Sequence, residues 1–512
     1  MRRSNWIPIM WLVASSFGSC SAQSTGKGPQ AEVREPAVAG QFYPGSAAAL
    51  KLAMQSYVSD AVAPRTGRPI ALVSPHAGYI YSGQIAADAF KQCEGQRYST
   101  VVILGTNHTT PDMRKVAVYP GAGFRTPLGV ATVDSSLVDA LLKESPDCAL
   151  EAGPHAREHS VEVQIPFIQA VLPDAKIVPL VVGTQDLGIL TRFGKVLGKV
   201  LSGREALVVA SSDLSHYPAY DDAVRADKRT LEAVAAMDPE GFVSATDALM
   251  RSNIAGLGTC ACGSAPIIVA MSAAKALGAT RGIVVSYANS GDVAIGDSSR
   301  VVGYGAVVFT TGAGGADTSV LNRPPSTSSN AQFSHEDKLA MLAFARKSIQ
   351  RFVESDTVPL ARNVDARLLQ PRGCFVTLKK HGELRGCIGH MTADTPLYKL
   401  VGTMALHAAF NDSRFEQLRA AELAEIEIEI SVLTLPKPVA SARDIVVGRD
   451  GVILTKGSRT AVFLPQVATE QGWDRDEMLD HLCVKAGLSP GEWKQGAAFQ
   501  TFQAEVFGES DH

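Results

Sequence analysis

The sequence predicts an α/β domain built on a layered sheet, followed by a smaller α+β domain. The first observation is a series of short apolar runs, such as residues 100–105 and 206–211, in which Val, Ile, Leu and Ala follow one another without polar alternation. Continuous runs of this kind are typical of parallel strands whose two faces are covered by helices. The second observation is that longer helical patterns separate these runs, as in α/β folds. The third is a change in composition near residue 312.

The first domain is predicted to span residues 36–311. Its strands are expected where short apolar runs are bounded by polar or turn-forming residues, and its helices where longer segments show a helical pattern. The predicted strands are residues 70–74, 100–105, 176–182, 206–211, 282–287 and 303–309. The predicted helices are residues 134–143, 187–201 and 222–237.

A linker is predicted between the two domains. Residues 312–333 are rich in Gly, Ser, Thr, Asn and Pro and have almost no large apolar side chain, which is the composition of a linker. The second domain, residues 334–508, is predicted to contain helices 336–354 and 397–410, a hairpin of strands 374–379 and 383–387, and an alternating strand 425–433. This order predicts an α+β domain.

Length and charge limit the classes of function. A chain of 512 residues is expected to form two or three domains. The formal net charge of −3 gives no basic surface of the kind that binds nucleic acid. Nucleic acid is therefore not an expected partner, and the expected ligand is a small organic molecule or a peptide.

The first twenty residues have the pattern of an export signal. Two arginines precede an apolar stretch that is too short to remain as a transmembrane helix. The segment Phe17-Gly18-Ser19-Cys20 is similar to a bacterial lipobox, in which the cysteine is lipidated after cleavage. The pattern predicts a periplasmic or cell-surface lipoprotein anchored through Cys20, with residues 21–35 as a flexible tether. Plain secretion and a buried N-terminal helix are the alternatives.

Histidines follow three of the predicted buried strands. His76 comes after strand 70–74, His108 after strand 100–105, and His216 after strand 206–211. Neighbouring strands lie about 4.8 Å apart, and ligands bind beyond the carboxyl ends of parallel strands. The three histidines can therefore converge on one ion or substrate, and the alternative is that they are unrelated loop residues.

Five ordered motifs of the first domain resemble those of the Memo family. They are Ser74-Pro75-His76-Ala77-Gly78-Tyr79, Gly105-Thr106-Asn107-His108, Glu158-His159-Ser160-Val161-Glu162, Ser211-Ser212-Asp213-Leu214-Ser215-His216 and Cys262-Gly263. The resemblance implies a fold similar to that of class III non-haem iron dioxygenases, with a bound metal. Transferred by position, it implies His76, His108 and Cys262 as metal ligands. It also implies Asp213 and His216 nearby, as a further ligand, an orienting group or a proton-transfer group.

The ligand set indicates which metal to expect. Two imidazoles and one thiolate leave a coordination position open, which suits a redox metal or a Lewis acid more than a closed structural site. A thiolate disfavours Mg²⁺ and Ca²⁺, so iron or copper is the expected cofactor, with zinc as a third candidate. Asp213 is expected to fix the tautomer of His216, or alternatively to cap a turn or helix. Cys260 has no assigned role, and its pairing with Cys262 stays open.

A shorter motif overlaps the Memo pattern. His155, Glu158 and His159 match the His-x-x-Glu-His pattern of inverted zinc peptidases, in which both histidines share one helix face. Pro154 places His155 at a helix start or in a loop, so peptidase activity is kept only as an alternative. Glu158, His159 and Glu162 are expected to line or brace the cleft.

The second domain resembles the AMMECR1 family. The resemblance lies in Leu384-Arg385-Gly386-Cys387-Ile388-Gly389, Asn411-Asp412-Ser413-Arg414-Phe415 and residues 425–433. The chain is thus similar to a fusion of proteins B and A of the AmmeMemoRadiSam system, whose third member is a radical S-adenosylmethionine enzyme. Arg385 is expected to favour the thiolate of Cys387. The alternative is a buried structural thiol beside an arginine that pairs with a carboxylate.

The expected function is that of a metal-dependent redox enzyme with a dioxygenase-like site, in which Asp213 and His216 are the catalytic candidates. The alternative is a non-catalytic, metal-dependent binding or scaffold module that recruits a partner such as a radical S-adenosylmethionine enzyme. Membrane contact is expected only through the lipid anchor.

Overall fold

The computed structural model describes residues 32–65, 67–321, 333–362 and 364–511. The predicted export signal, the lipobox, most of the tether and much of the linker lie outside the described residues. Among the residues that are described, no helix is both long and apolar enough to cross a membrane.

Strands and helices alternate through the first domain, as predicted. Its strands are β1 (Val33–Arg34), β2 (Ala71–Ser74), β3 (Thr100–Thr106), β4 (Val116–Val118), β5 (Gly123–Thr126), β6 (Gly129–Thr132), β7 (Cys148–Leu150), β8 (Lys176–Val182), β9 (Ala206–Ser211), β10 (Arg281–Asn289) and β11 (Gly303–Thr310). Its helices are α1 (Ala47–Ser59), α2 (Tyr79–Lys91), α3 (Ser135–Glu144), α4 (His159–Glu162), α5 (Ile165–Val171), α6 (Leu187–Leu201), α7 (Tyr220–Ala235), α8 (Pro239–Met250) and α9 (Ser264–Ala276).

Within the described residues, the main sheet of this domain has eight strands in the order β10-β11-β2-β9-β3-β8-β4-β7. Strands β2, β9, β3 and β8 are parallel neighbours, whereas β10, β11 and β2 pair antiparallel. Strands β2 and β3 are buried along their whole length. Helix α2 packs with α1 and α5, α9 packs with α6 and α8, and both α2 and α9 contact β2. The prediction of a covered, layered sheet is confirmed.

The three strands that precede the predicted histidines are neighbours, because β9 lies between β2 and β3. Ser74, the last residue of β2, is paired with Ser211, the last residue of β9. Since these strands are parallel, the loops after them leave the same edge of the sheet. The sheet topology therefore places the strand-end histidines together.

The outer edge of β10 is covered by the beginning of the predicted linker. The backbone N–H of Val284 donates to Asp317 O at 2.9 Å, and the N–H of Asp317 donates to Gly282 O at 3.0 Å. A short 3-10 turn, Ser319–Leu321, follows and contacts β10. This part of the linker therefore belongs to the first domain.

The second domain is α+β, as predicted. Its helices are α10 (His335–Ser355), α11 (Leu397–Phe410), α12 (Pro465–Gln471) and α13 (Arg475–Lys485). Its strands are β12 (Cys374–Lys380), β13 (Glu383–His390), β14 (Ile426–Leu433), β15 (Lys437–Val439), β16 (Gly451–Lys456), β17 (Arg459–Phe463), β18 (Ala498–Phe502) and β19 (Ala504–Gly508). They form two antiparallel sheets, β13-β12-β14-β19 and β15-β18-β16-β17. The second of these sheets is not among the predicted elements.

Ion pairs join the two domains. Asp60, at the end of α1, accepts from Lys347 Nζ at 2.6 Å and from Arg351 Nη2 at 2.7 Å, both on α10. On α2, the buried carboxylate of Asp88 accepts from Arg362. The second domain thus rests on the first two helices of the first domain.

A small buried apolar cluster lies at the same interface. Both domains contribute to it, and its members are Ile80, Val293, Ala294, Phe352, Val358, Leu360, Leu406 and Phe410. Removing this apolar surface from water stabilises the docked arrangement of the domains.

Candidate metal centre

The tautomer of His76 follows from its hydrogen bonds. Its Nδ1 lies 3.0 Å from Ser211 Oγ, at the end of β9. That hydroxyl donates to Ser160 O at 2.6 Å and accepts from Gln164 Nε2 at 2.8 Å. Because a hydroxyl has one proton to donate, Ser211 must accept from His76, so Nδ1 carries the ring proton. The Nε2 lone pair is left facing Cys262.

Cys262 Sγ lies 3.1 Å from His76 Nε2, a contact in which the thiol donates to the ring. Burial raises the pKa of Cys262 well above its ordinary value, and the charge of Asp213 raises it further. The thiol is therefore protonated in this structure. Gly263 lets the backbone after Cys262 pack against the end of β9, because a Cβ there would lie 2.4 Å from Ser211 O.

His108 is held by the carboxylate of Glu158. The ring Nδ1 donates to Oε1 at 2.9 Å, and the backbone N–H of His108 donates to Oε2 at 2.8 Å. The N–H of Ser160 also donates to Oε1, at 2.9 Å. Burial raises the pKa of Glu158, but these hydrogen bonds and the electrostatic effect of the adjacent His108 ring outweigh it and lower the pKa to about 2. The ionised carboxylate fixes the tautomer of His108 and leaves Nε2 free for a ligand.

His159 packs against the rings of both His108 and His76. Its ring stacks on that of His108 with 4.6 Å between ring centres, and it lies 5.4 Å from the ring of His76. Burial lowers the pKa of His159. Burial and the neighbouring histidines lower the pKa of His76 well below its ordinary value. Both rings are therefore neutral at neutral pH, which is the form of imidazole that binds metals.

The residues of the centre form three overlapping groups of potential ligands. Within the described residues, each group has one potential ligand atom per residue, and these atoms lie within 4.8 Å of one another. The groups are His76, His108 and Cys262; His108, Glu158 and His159; and Asp213, His216 and Cys262. The structure thus brings together all three predicted metal ligands and both catalytic candidates.

Asp213 has a different contact from the one that the sequence suggested. His216 Nδ1 donates to Leu214 O at 3.0 Å, so a backbone carbonyl fixes its tautomer. Asp213 Oδ1 instead accepts from the backbone N–H groups of His76, at 2.8 Å, and Ala77, at 3.2 Å. The reason is that β9 lies beside β2, so a carboxylate just after β9 faces the turn after β2. Burial raises the pKa of Asp213 against the effect of these hydrogen bonds.

Glu162 braces the domain rather than lining the centre. It is fully buried, pairs with Arg34 Nη1 at 2.6 Å and accepts from Tyr43 Oη at 2.6 Å. These contacts join α4 to β1 and to the residues that follow it.

His155 does not lie with His159 as the peptidase alternative requires. It closes a 3-10 turn, Gly153–His155, and its Nε2 donates to Ala117 O at 3.2 Å. His159 instead begins α4. The two histidines therefore do not share a helix face, and the inverted zinc peptidase arrangement is absent from this segment.

The cysteines of the described residues are free thiols, including Cys260 and Cys262. Cys260 is buried, and its thiol faces Thr246 O at 3.7 Å. It packs as a small apolar side chain, away from the ligand groups described above.

The second-domain candidates lie on one strand but have separate partners. Arg385 on β13 donates to both oxygens of Glu422, at 3.0 and 3.1 Å. Cys387 Sγ accepts from Thr377 Oγ1 at 3.3 Å, and its backbone N–H donates to Asp412 Oδ2 at 2.9 Å. The arginine is thus paired with a carboxylate, as in the structural alternative for this motif, whereas the Cys387 thiol is only half-buried.

Two residues that position His76 were not singled out from the sequence. Ser211 stands within a quoted motif, but its role depends on β9 lying beside β2. Gln164 donates to Ser211 Oγ at 2.8 Å and to Pro75 O at 2.9 Å. No local signal marks this glutamine, because its partners are far away in the sequence.

Comparison with known proteins identifies the family. Residues 34–308 match the family model of Memo-like proteins, and residues 342–507 match that of AMMECR1. MEMO1 family proteins of Nitrosopumilus maritimus and Aquifex aeolicus are 36% and 39% identical to this chain, and each match covers 54% of this chain and 99% of the relative. A crystal structure of the uncharacterized protein PH0010 from Pyrococcus horikoshii is 33% identical, covers 35% of this chain and 93% of its own, and has a TM-score of 0.32. The chain therefore belongs to the Memo family and carries an AMMECR1 domain after its Memo domain.

Proposed function

We propose that the Memo domain holds a redox-active metal, iron or copper, with zinc as a third candidate, through His76, His108 and Cys262. The observation that carries the proposal is the hydrogen bonding of the two imidazole rings. Each has its Nδ1 occupied as a donor, to Ser211 and Glu158, while its Nε2 is left with a lone pair. This is how proteins hold histidines that ligate metals.

The donor set fits such a metal. The contact between Cys262 Sγ and His76 Nε2 at 3.1 Å has a proton where a cation would bind both atoms. A bound metal would supply redox or Lewis-acid chemistry at a coordination position left open by two imidazoles and a thiolate.

The remaining residues of the centre provide groups for moving a proton. His216 donates through Nδ1 to Leu214 O, so its Nε2 can accept a proton from a bound organic molecule. A carboxylate oxygen of Asp213 lies within 4.8 Å of a ring nitrogen of His216, close enough to stabilise a charge on that ring. We propose His216 as the proton acceptor and Asp213 as the group that stabilises the resulting positive charge.

Metal content tests the proposal. Protein purified without affinity-tag metals should contain near-stoichiometric iron or copper by elemental analysis, and the triple variant His76→Ala, His108→Ala, Cys262→Ser should contain none. His216→Ala should retain the metal and lose any turnover found for the wild type. Absence of metal from the wild type, even after anaerobic reconstitution, would rule out the metalloenzyme.

Ser211→Ala should weaken metal binding about tenfold, because Nδ1 of His76 loses its acceptor and the ring is no longer oriented. Competition between the protein and a chelator for Co²⁺ measures the change. Ser74→Ala is the matched control, since Ser74 ends the neighbouring strand and its buried hydroxyl has no partner among the described residues. Equal losses in both variants would show that the Ser211 contact does not matter.

A metal-dependent binding or scaffold module is the second candidate function. The AMMECR1 domain favours it, because this domain adds a surface that a partner can bind. The MEMO1 family relatives named above match this chain over the Memo part alone. In this case no turnover is found, and the second domain recruits a partner such as a radical S-adenosylmethionine enzyme. The predicted lipobox favours instead a small organic or peptide ligand outside the cell, since such iron–sulfur enzymes ordinarily work inside it.

A further inference from the structure

We propose that Lys399, in the AMMECR1 domain, positions the backbone around His216 in the Memo domain. It acts through residues 293–302, which we call the bridging segment. The inference rests on the proposed function only for the importance of His216, and not for the contacts themselves.

One side of the bridging segment is held by the second domain. Lys399, on α11, is 6% exposed, and its ammonium donates to Gly296 O at 2.9 Å and to Ser298 Oγ at 3.2 Å. One turn later, Thr403 Oγ1 donates to Ala294 O. A buried lysine that donates to a backbone carbonyl of another domain holds that backbone in one place, because the charge has few other ways to be satisfied.

The other side of the bridging segment is bonded to the residues after His216. The N–H of Tyr217 donates to Val301 O at 2.7 Å, and the N–H of Val301 donates to Pro218 O at 2.9 Å. The N–H of Tyr220 donates to Ser298 O at 3.0 Å. Ser298 therefore contacts Lys399 through its side chain and the start of α7 through its carbonyl.

The backbone conformation next to His216 needs such support. Tyr217 has a φ of +78°, in the left-handed region that non-glycine residues rarely adopt. Strained residues persist where surrounding contacts determine their conformation. His216 itself forms an isolated β-bridge with Val302, at the end of the bridging segment. A shift of the segment would therefore change the orientation of the His216 ring.

The second domain also touches the element that follows His76. Helix α2 begins at Tyr79, and its residues Ile80 and Asp88 contact the AMMECR1 domain. Ile80 lies in the first turn of this helix, soon after His76, and Asp88 lies near the end of the same helix. The docked AMMECR1 domain therefore helps to hold the elements that carry the residues of the metal centre.

Hydrogen–deuterium exchange of the full-length protein tests the role of Lys399. In Lys399→Met, the amides of Tyr217, Tyr220 and Val301 should exchange about tenfold faster than in the wild type, the loss expected when a hydrogen bond from a charged group is removed. Amides of β3, in the core of the same sheet, should keep their wild-type rates.

Lys485→Met is the matched control, because Lys485 donates to Val462 O at 2.9 Å within the second domain. It should leave all these amides unchanged. If Lys399→Met does not fold, Thr403→Val removes a contact to the same segment and should give a smaller increase at the same amides. Unchanged rates at Tyr217 and Val301, or equal acceleration in β3, would overturn the proposal.

A spectroscopic measurement separates positioning from simple attachment of the domains. The ring resonances of His216 in NMR spectra, assigned through His216→Ala, should shift in Lys399→Met and should not shift in Lys485→Met. Unchanged His216 resonances would overturn the positioning role. Because both measurements are made without metal, a wild type that binds no metal would overturn the proposed function and leave these results to decide this inference.

Discussion

Glu158→Gln should lower the free energy of unfolding by about 3 kcal/mol, because a buried carboxylate that serves several donors loses its charge. Oε1 and Oε2 together accept from the ring and backbone of His108 and from the backbone of Ser160. An amide has only one oxygen, so its NH₂ group would face a donor and leave that donor unsatisfied. Urea denaturation followed by circular dichroism measures the loss, and the exposed Glu151→Gln should change it by less than about 0.5 kcal/mol.

The stability of Glu158→Gln should depend on acid pH less strongly than that of the wild type. The pKa of Glu158 falls from 4.5 to about 2 in the folded protein. Its contribution to stability is therefore fully present above pH 4.5 and is lost as the pH falls from there towards 2. The wild type should lose more stability over this range than Glu158→Gln. Parallel loss in the two proteins would contradict the ionised state assigned to Glu158.

Arg362→Met should also cost about 3 kcal/mol, because it leaves the buried carboxylate of Asp88 without its cation. Among the described residues, Asp88 would keep Ser286 Oγ, at 2.5 Å, and the N–H of Val62, at 2.9 Å, as hydrogen-bond donors. Since Asp88 lies on α2, the loss should appear in the unfolding of the Memo domain although the substitution is in the AMMECR1 domain. Chemical denaturation of the full-length protein measures it.

A double variant tests the cause of this loss. Asp88→Asn combined with Arg362→Met removes both charges and should recover a large part of the stability. Arg443→Met, at an exposed position of the second domain, should have little effect. If the double variant is as unstable as Arg362→Met, the loss comes from packing at the interface and not from the buried charge.

The sequence was most informative where one local pattern determines both the secondary structure of a segment and the position of the residue that follows it. His76, His108 and His216 could be placed together because continuous apolar runs indicate parallel strands, whose carboxyl ends share an edge. The contacts of Asp213 could not be predicted in the same way. They depend on which strand lies beside β9, and no local segment of the sequence indicates the strand order.

The domain interface was also beyond prediction from the sequence. No local pattern distinguishes Lys399 and Arg362 from other charged residues of the second domain. Their role in joining the domains is visible only from their partners in the first domain. The sheet formed by β15 to β18 was missed for a different reason. Its strands are short, of three to six residues, and several are partly exposed, so their patterns are weak.

The pairing of Asp317 with β10 has a consequence for how the Memo domain can be separated from the rest of the chain. An uncovered edge strand offers free N–H and C=O groups to the edge of another molecule, which favours aggregation. Truncation at the predicted boundary, residue 311, would uncover β10 in this way. A soluble fragment of the Memo domain should therefore extend past the turn Ser319–Leu321.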